Sequence, residues 1–274
     1  MNTTFKIPYI KTDTPINLIV EIGTSNIAIF CYSTFPFTAT GFYYYTVTEN
    51  DTNNTIGNEL KRIFAAENLS TTSVENVHIF YNNAETTLVP TAYFKKEELQ
   101  NIAALMFGNK TNYSNLHETI DLHSIENIYA VPTDIKNVLD SVFPAAKSMH
   151  SVSKCLQNIN GTKLFATVYD KEIRLILFKE NTFTLTTYFD YATPEDVCYH
   201  LLNVCERFGV NPSEIELVIN GMINENSNLY KEIYKFFMHV QIENIPEKVE
   251  LTEGFAEIAS HYYLPLVKLA KCVS

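Results

Sequence analysis

Basic residues are scarce in this chain of 274 residues, in which 20 Lys and Arg stand against 31 Asp and Glu for a net charge of −11. No Lys/Arg run exceeds two residues, so the counterion release that drives nucleic-acid binding has no concentrated source. The five cysteines include no Cys-x-x-Cys pair, which fits a reducing compartment better than a disulfide framework. Long hydrophobic runs are missing too. The stretch Ile16 to Phe30 is broken by Glu21, Gly23, Thr24, Ser25 and Asn26, short of the roughly 20 continuous apolar residues that a membrane span requires. Met1 to Ile10 lacks the basic and apolar regions of a signal peptide. The expectation is a soluble, cytoplasmic protein that neither binds nucleic acid nor inserts into a membrane.

Catalytic signatures are equally sparse. The chain has no His-Glu-x-x-His pair for zinc, no Gly-x-Ser-x-Gly elbow for a serine nucleophile and no Gly-x-x-x-x-Gly-Lys-Ser/Thr loop. His117 and His123 flank Asp121 in a segment read as a polar loop, without the spacing of a metal site. Cys198 and Cys205 lie on one face of a predicted helix and read as core filler. No catalytic residue and no metal ligand is assigned.

What the sequence does hold is a repeated order of elements. Asn17 to Ile22 and Ile27 to Tyr32 are rich in β-branched residues and flank Gly23 to Asn26, the pattern of a hairpin. Phe42 to Val47 extends the meander; its Phe42-Tyr43-Tyr44-Tyr45 run reads as sheet core rather than as a base-stacking platform. A helix with Ile56, Leu60, Ile63 and Phe64 on one side follows, then a strand at Val77 to Tyr81. The same order returns after Gly161: strands at Leu164 to Tyr169, Ile173 to Phe178 and Phe183 to Phe189, a helix, and a strand at Ile215 to Asn220. That helix is strongly signed, with Thr193 as its cap, Pro194 at its first position, Glu195 and Asp196 in its first turn and Gly209 past its end. Two copies of a mixed unit argue for paired lobes, 1–159 and 160–274, rather than for a solenoid.

Between the copies the pattern predicts a helix over Lys95 to Phe107 with Leu99, Ile102, Ala103, Met106 and Phe107 inward, then a polar loop over Asn109 to Ser124. A strand at Ile125 to Val131 and a helix capped by Thr133 and ended by Pro144 complete the first lobe. The C-terminal segment Gly254 to Ser274 has helical spacing with a kink expected at Pro265, and packs on its own lobe in preference to a membrane or a partner.

The segment Leu18-Ile19-Val20-Glu21-Ile22-Gly23-Thr24-Ser25 resembles the first phosphate motif of the actin, Hsp70 and sugar-kinase superfamily. The likeness is to the bacterial branch that holds FtsA, the actin-like proteins of type IV pilus and type II secretion machines, and families of unknown function. Ile125 to Leu156 is similar to the end of the first lobe in that branch, and Ile215 to Phe237, through Asn220-Gly221, to its adenosine region. The resemblance implies an α/β fold: a duplicated RNase H-like, actin-like ATPase architecture of two lobes, each a mixed sheet flanked by helices, the second carrying the C-terminal helix.

It also implies a nucleotide site of Glu21, Gly23, Thr24, Ser25 and Gly221 if ATP and Mg²⁺ bind at all. Glycine lets backbone amides approach phosphate, the hydroxyls donate, and the acid holds hydrated Mg²⁺. Glu21 replaces the usual Asp. Its extra methylene displaces the carboxylate from a site that demands near-octahedral geometry. The equivalent hairpin of the second lobe, Thr167-Val168-Tyr169-Asp170-Lys171-Glu172, has no glycine, and Met222 follows Gly221 where a second glycine is usual. The reading is a non-catalytic actin-like scaffold or adaptor that binds another protein and needs no cofactor; the alternative is an ATPase or phosphotransferase. Self-association, as a homodimer, is a third.

Overall fold

This computed structural model describes residues 1–10, 15–48, 51–69, 74–156 and 159–274. These form two compact units. The first comprises Met1–Cys155, Val249–Gly254 and Leu269–Ser274; the second comprises Leu156–Lys248 and Phe255–Lys268. The junction expected at 159/160 directly follows residues 157 and 158, which lie outside the described ones.

The first unit runs β1 (Asn2–Ile7), β2 (Ile16–Gly23), β3 (Asn26–Thr34), β4 (Phe37–Thr46), α1 (Asn53–Ala66), β5 (Val74–Asn82), β6 (Thr86–Pro90), α2 (Leu99–Phe107), β7 (Tyr113–Ile120), β8 (Ile125–Pro132), α3 (Thr133–Val142), β9 (Lys147–His150) and α4 (Ser151–Cys155). Its main sheet has the order β1-β4-β3-β2-β5-β9. β2, β3 and β4 are antiparallel neighbours, whereas β5 and β9 join parallel to β2 and to each other. Leu18, Val20, Ile22, Ile29, Ile79 and Tyr81 meet Ile56, Leu60, Ile63 and Phe64 of α1 and Ile135 and Leu139 of α3 in one core. Each such aliphatic side chain, fully buried, contributes roughly 1.5–3 kcal/mol. Phe42 to Tyr45 are all buried. Tyr43 and Tyr45 join this core, and Phe42 and Tyr44 pack against Phe5.

The second unit runs β10 (Lys163–Val168), β11 (Glu172–Lys179), β12 (Thr182–Asp190), α5 (Pro194–Arg207), β13 (Glu216–Gly221), α6 (Asn228–Ile233) and β14 (His239–Ile242). Its sheet order is β12-β11-β10-β13-β14, with antiparallel and parallel pairs in the sequence seen for β4-β3-β2-β5-β9. Thr193 and Asp196 form a reciprocal capping box at the start of α5. At its end Gly209 adopts φ +61° and Val210 N–H donates to Cys205 C=O at 2.8 Å, a left-handed stop that glycine adopts without strain. Cys198 and Cys205 are buried in this core, and burial pushes both thiols up to about 11. They remain protonated and unreactive at neutral pH. Beyond β14 lie β15 (Glu250–Leu251), parallel to β4, and α7 (Leu264–Val273).

Several local expectations give way. The polar loop expected over Asn109 to Ser124 contains β7, the edge of a three-stranded antiparallel sheet in the order β6-β8-β7. Its polar residues are held by partners instead of solvent: Glu118 Oε1 accepts from His150 N–H at 2.7 Å and from Ser153 Oγ at 2.6 Å. The strands β1 and β6 were not foreseen. The helix expected over Lys95 to Phe107 is α-helical only from Leu99, and of its apolar stripe Ala103 alone is buried, with Met106 exposed. Thr133 is the first residue of α3 rather than its cap, and its hydroxyl shares a hydrogen bond with Ser114 Oγ at 2.9 Å. Pro265 kinks nothing. It is the second residue of α7, where the missing N–H would have had no helical partner.

Candidate functional site

In the first unit the β2–β3 hairpin closes with Ile22 opposite Ile27, which leaves Gly23 to Asn26 at the tip. A Cβ on Gly23 would lie 2.3 Å from Asn26 Oδ1, so the absence of a side chain there makes room for Asn26. Thr24 is exposed, whereas Ser25 and Asn26 are buried. Ser25 C=O accepts from Val47 N–H at 2.8 Å. Ser25 Oγ and Asn26 Nδ2 have no hydrogen-bond partner among the described residues. Buried donors left unsatisfied cost about 1–3 kcal/mol each, and an oxygen-bearing ligand is one way of meeting them. Glu21 is only 2% exposed. It stands opposite Ala28 and Phe80.

In the second unit the β10–β11 hairpin closes with Val168 opposite Ile173. Thr167 holds the place of Glu21: it pairs with Arg174 as Glu21 pairs with Ala28, each one step before the last pair. Val168 faces the core. The tip is closed by its own bonds: Tyr169 N–H donates to Glu172 C=O at 2.8 Å, and Tyr191 Oη–H donates to Tyr169 C=O at 2.5 Å. Tyr169 and Glu172 are buried, as is Arg174, whose Nη2 donates to Thr167 Oγ1 at 3.3 Å. A phosphate cradle needs bare backbone amides. This tip, without glycine and with large side chains turned in, does not fit one.

β13 ends at Gly221 with φ +88°, and a Cβ there would lie 2.2 Å from Val168 C=O. Met222 N–H donates to that same carbonyl at 2.7 Å, so Gly221 is required by the close approach of β10. Gly221 C=O in turn lies 3.1 Å from Nδ1 of buried His261. A carbonyl only accepts, so Nδ1 carries a proton and donates it to Gly221. A cavity of about 570 Å³ opens beside this strand end, lined by Asn224, Asn226, Tyr230, Gln241, Asn244 and His261 among others.

The residues drawn from the sequence therefore separate into two groups: Glu21, Gly23, Thr24 and Ser25 share the first hairpin, while Gly221 belongs to the second unit. Arg174 and His261 were not singled out. A lone guanidinium in Ile173-Arg174-Leu175-Ile176-Leu177 was a legible signal; nothing in the sequence marked His261. His117 pairs with Glu126 at 3.1 Å, and among the described residues no three His, Cys, Asp or Glu side chains gather as metal ligands.

Residues 9–240 match the family described as "Protein of unknown function (DUF3822)". The chain belongs to that family. No curated protein matches it in sequence. Among solved structures, this DUF3822 chain is similar to a Bacteroides thetaiotaomicron protein described as having an actin-like ATPase fold and unknown function. The TM-score is 0.73 at 19% identity, over 85% of this chain and 94% of that one. It is similar to a chain of the PilM–PilN type IV pilus biogenesis complex, with TM-score 0.63 at 10% identity over 94% and 98%. It also resembles the ethanolamine utilization protein EutJ from Carboxydothermus hydrogenoformans, with TM-score 0.50 at 8% identity over 96% and 92%. The fold is the actin-like ATPase fold. Among the described residues no helix is long and apolar enough to cross a membrane.

Proposed function

We propose that this DUF3822 protein is a non-catalytic actin-like scaffold or adaptor that works by binding another protein and turns over no nucleotide. The observation that carries the reading is the β10–β11 tip, where Tyr169 and Glu172 fill the turn and a backbone bond closes it. The repeated strand order fits an internal duplication in which one copy lost its phosphate hairpin. The PilM–PilN complex, an assembly built on the same fold, supports a protein partner in place of a substrate.

The alternative is an ATP-binding ATPase or phosphotransferase, favoured by the unpaired Ser25 Oγ and by Gly221. Glu21 would then stand near Mg²⁺ and Thr24 and Ser25 near phosphate. Thermal-shift and calorimetric titration with ATP and ADP, with and without Mg²⁺, separates the two. A ligand at about one hundred times its dissociation constant adds about 2.7 kcal/mol to the folded state. The expected result is no Mg²⁺-dependent rise in melting temperature at millimolar nucleotide; a rise abolished by Gly23→Val overturns the scaffold reading. Light scattering tests the homodimer.

A further inference from the structure

The two units treat one strand differently. In the first sheet the outer side of β4 is covered: β1 pairs with Phe42 to Thr46, and β15 with Thr38 and Ala39. In the second sheet β12 holds the place of β4, outermost in the order β12-β11-β10-β13-β14, and among the described residues its one strand partner is β11. Exposure follows this difference. Ala39 to Tyr45 are buried, whereas every residue from Phe183 to Phe189 stays partly exposed.

The ladder fixes which way the bare groups point. Tyr191 N–H donates to Lys171 C=O at 3.0 Å, and in an antiparallel pair the bonded positions alternate. Phe189, Thr187 and Leu185 therefore turn their backbone groups toward β11, and Thr186 turns its N–H and C=O away. Sheet edges commonly carry a guard against further pairing, such as brevity, proline or a charge. β9 and β14 have four residues each, β6 ends in Pro90, β1 has Lys6, and β7 has His117 and Glu118. β12 runs for nine residues, Thr182–Asp190, with Asp190 its only charge. Its one irregularity lies near the turn, where Thr184 is left out of the pairing; Leu185 to Asp190 pair without interruption.

We propose that β12 is the pairing edge of a homodimer, in which β12 of a second copy adds antiparallel about a two-fold axis at Thr186. Thr186 N–H and C=O then exchange bonds with Thr186 of the other copy, and Leu185 stands opposite Thr187. A strand edge is complementary to itself, which suits the isologous contact of a two-fold dimer. Charge favours the same occupant. The chain carries −11, yet this pairing brings no like charges face to face, since the two Asp190 carboxylates stand at opposite ends. At about 3.4 Å per residue they are roughly 27 Å apart, beyond a Debye length of about 8 Å. The interface depends neither on nucleotide binding nor on the scaffold reading.

The test is sedimentation velocity of the full chain over a range of concentrations, with amide exchange read at Thr186. One strand pair makes a small interface, so the expected result is a monomer–dimer equilibrium with a dissociation constant on the order of 10–100 µM. Thr186 exchange should be slower in the concentrated sample. Thr186→Pro deletes an N–H that faces away from β11, where an edge strand tolerates proline, and should weaken the dimer at least about tenfold through the two bonds lost. Thr187→Lys sets two ammonium groups beside the axis and should also weaken it, which keeps the test valid if the proline variant misfolds. A monomer at every concentration up to about 1 mM, as a foreign strand on β12 would leave it, overturns the proposal. So does a dimer in which Thr186 exchange is unchanged, or one that forms equally well in either folded variant.

Discussion

The hairpins β2–β3 and β10–β11 occupy the same place in two sheets of the same strand order, yet their tips differ in chemistry. The first has a glycine, a buried hydroxyl without a partner and a buried carboxylate on its strand; the second has Tyr169 and Glu172 packed inward and a guanidinium where the first has Ala28. The first turn leaves the Ser25 hydroxyl with no partner among the described residues, whereas the second closes on its own backbone and on the Tyr191 hydroxyl. Pairing register and hydrophobic alternation are set by the strands, so a tip can lose its ligand chemistry while the sheet around it stays intact. Loss of an activity then leaves little trace in the fold.

The comparison is broken most forcefully through the glycines. Gly221→Val places a Cβ against the Val168 carbonyl at a left-handed backbone and should cost more than about 3 kcal/mol in urea unfolding, or prevent folding. Gly23→Ala meets the Asn26 side chain first, at 2.3 Å, and its backbone oxygen less closely, at 3.2 Å, and should cost about 1 kcal/mol. Equal costs would mean that the first hairpin is as rigidly fixed as the second.

The capping boxes sharpen it at a smaller scale. α1 is capped by Thr52 with Thr55 and α5 by Thr193 with Asp196, and Thr52→Ala and Thr193→Ala should each cost about 1 kcal/mol. Their pH dependence should differ. The N–H groups of Ala192 and Thr193 hold the Asp196 carboxyl below the usual range. Its contribution is therefore present above the unfolded Asp pKa, about 3.9, and is lost as pH falls through the lower folded value. The protection of the Ala192 and Thr193 amides, relative to the intrinsic exchange rate at each pH, should fall in acid, while that of Thr52 and Thr55 should show no such step.

The smallest effect belongs to the three-stranded sheet, which has no counterpart among the described residues of the second unit. Burial raises the Glu118 carboxyl above its ordinary value despite the bonds from Ser153 and His150. A raised carboxyl contributes most below its unfolded pKa and loses that contribution as pH rises through the folded one. Stability should therefore gain as pH falls through the raised folded value, and Glu118→Gln, which keeps one acceptor oxygen, should remove that gain from a profile of melting temperature against pH; an unchanged profile would remove Glu118 as its source.

The sequence was most legible where several signals coincided. Thr193, Pro194, Asp196 and Gly209 all mark the same helix, and the runs on either side of Gly23 are rich in β-branched residues and become strands buried almost throughout. β7 escaped because Asn115, His117, Glu118 and Thr119 look solvated, and only the fold supplies Ser153 and the His150 backbone as partners. The exposed face of α2 escaped for the opposite reason: its period was helical, but period does not say that a face is covered. At the candidate site Gly23 and Ser25 were readable as a hairpin turn from the strand runs beside them, and as phosphate contacts only through the resemblance. The bond from His261 to Gly221 joins residues 40 apart in the chain, and no local pattern encodes it.

β15 lies parallel to β4, with Glu250 opposite Thr38 and Leu251 opposite Ala39. During synthesis the early strands of that sheet leave the ribosome long before their last neighbour has been made. Until then the Thr38–Ala39 stretch of β4 lacks a neighbour on the side where β1 pairs with Phe42 to Thr46, a short piece of the kind of unpaired strand edge through which incomplete chains join one another.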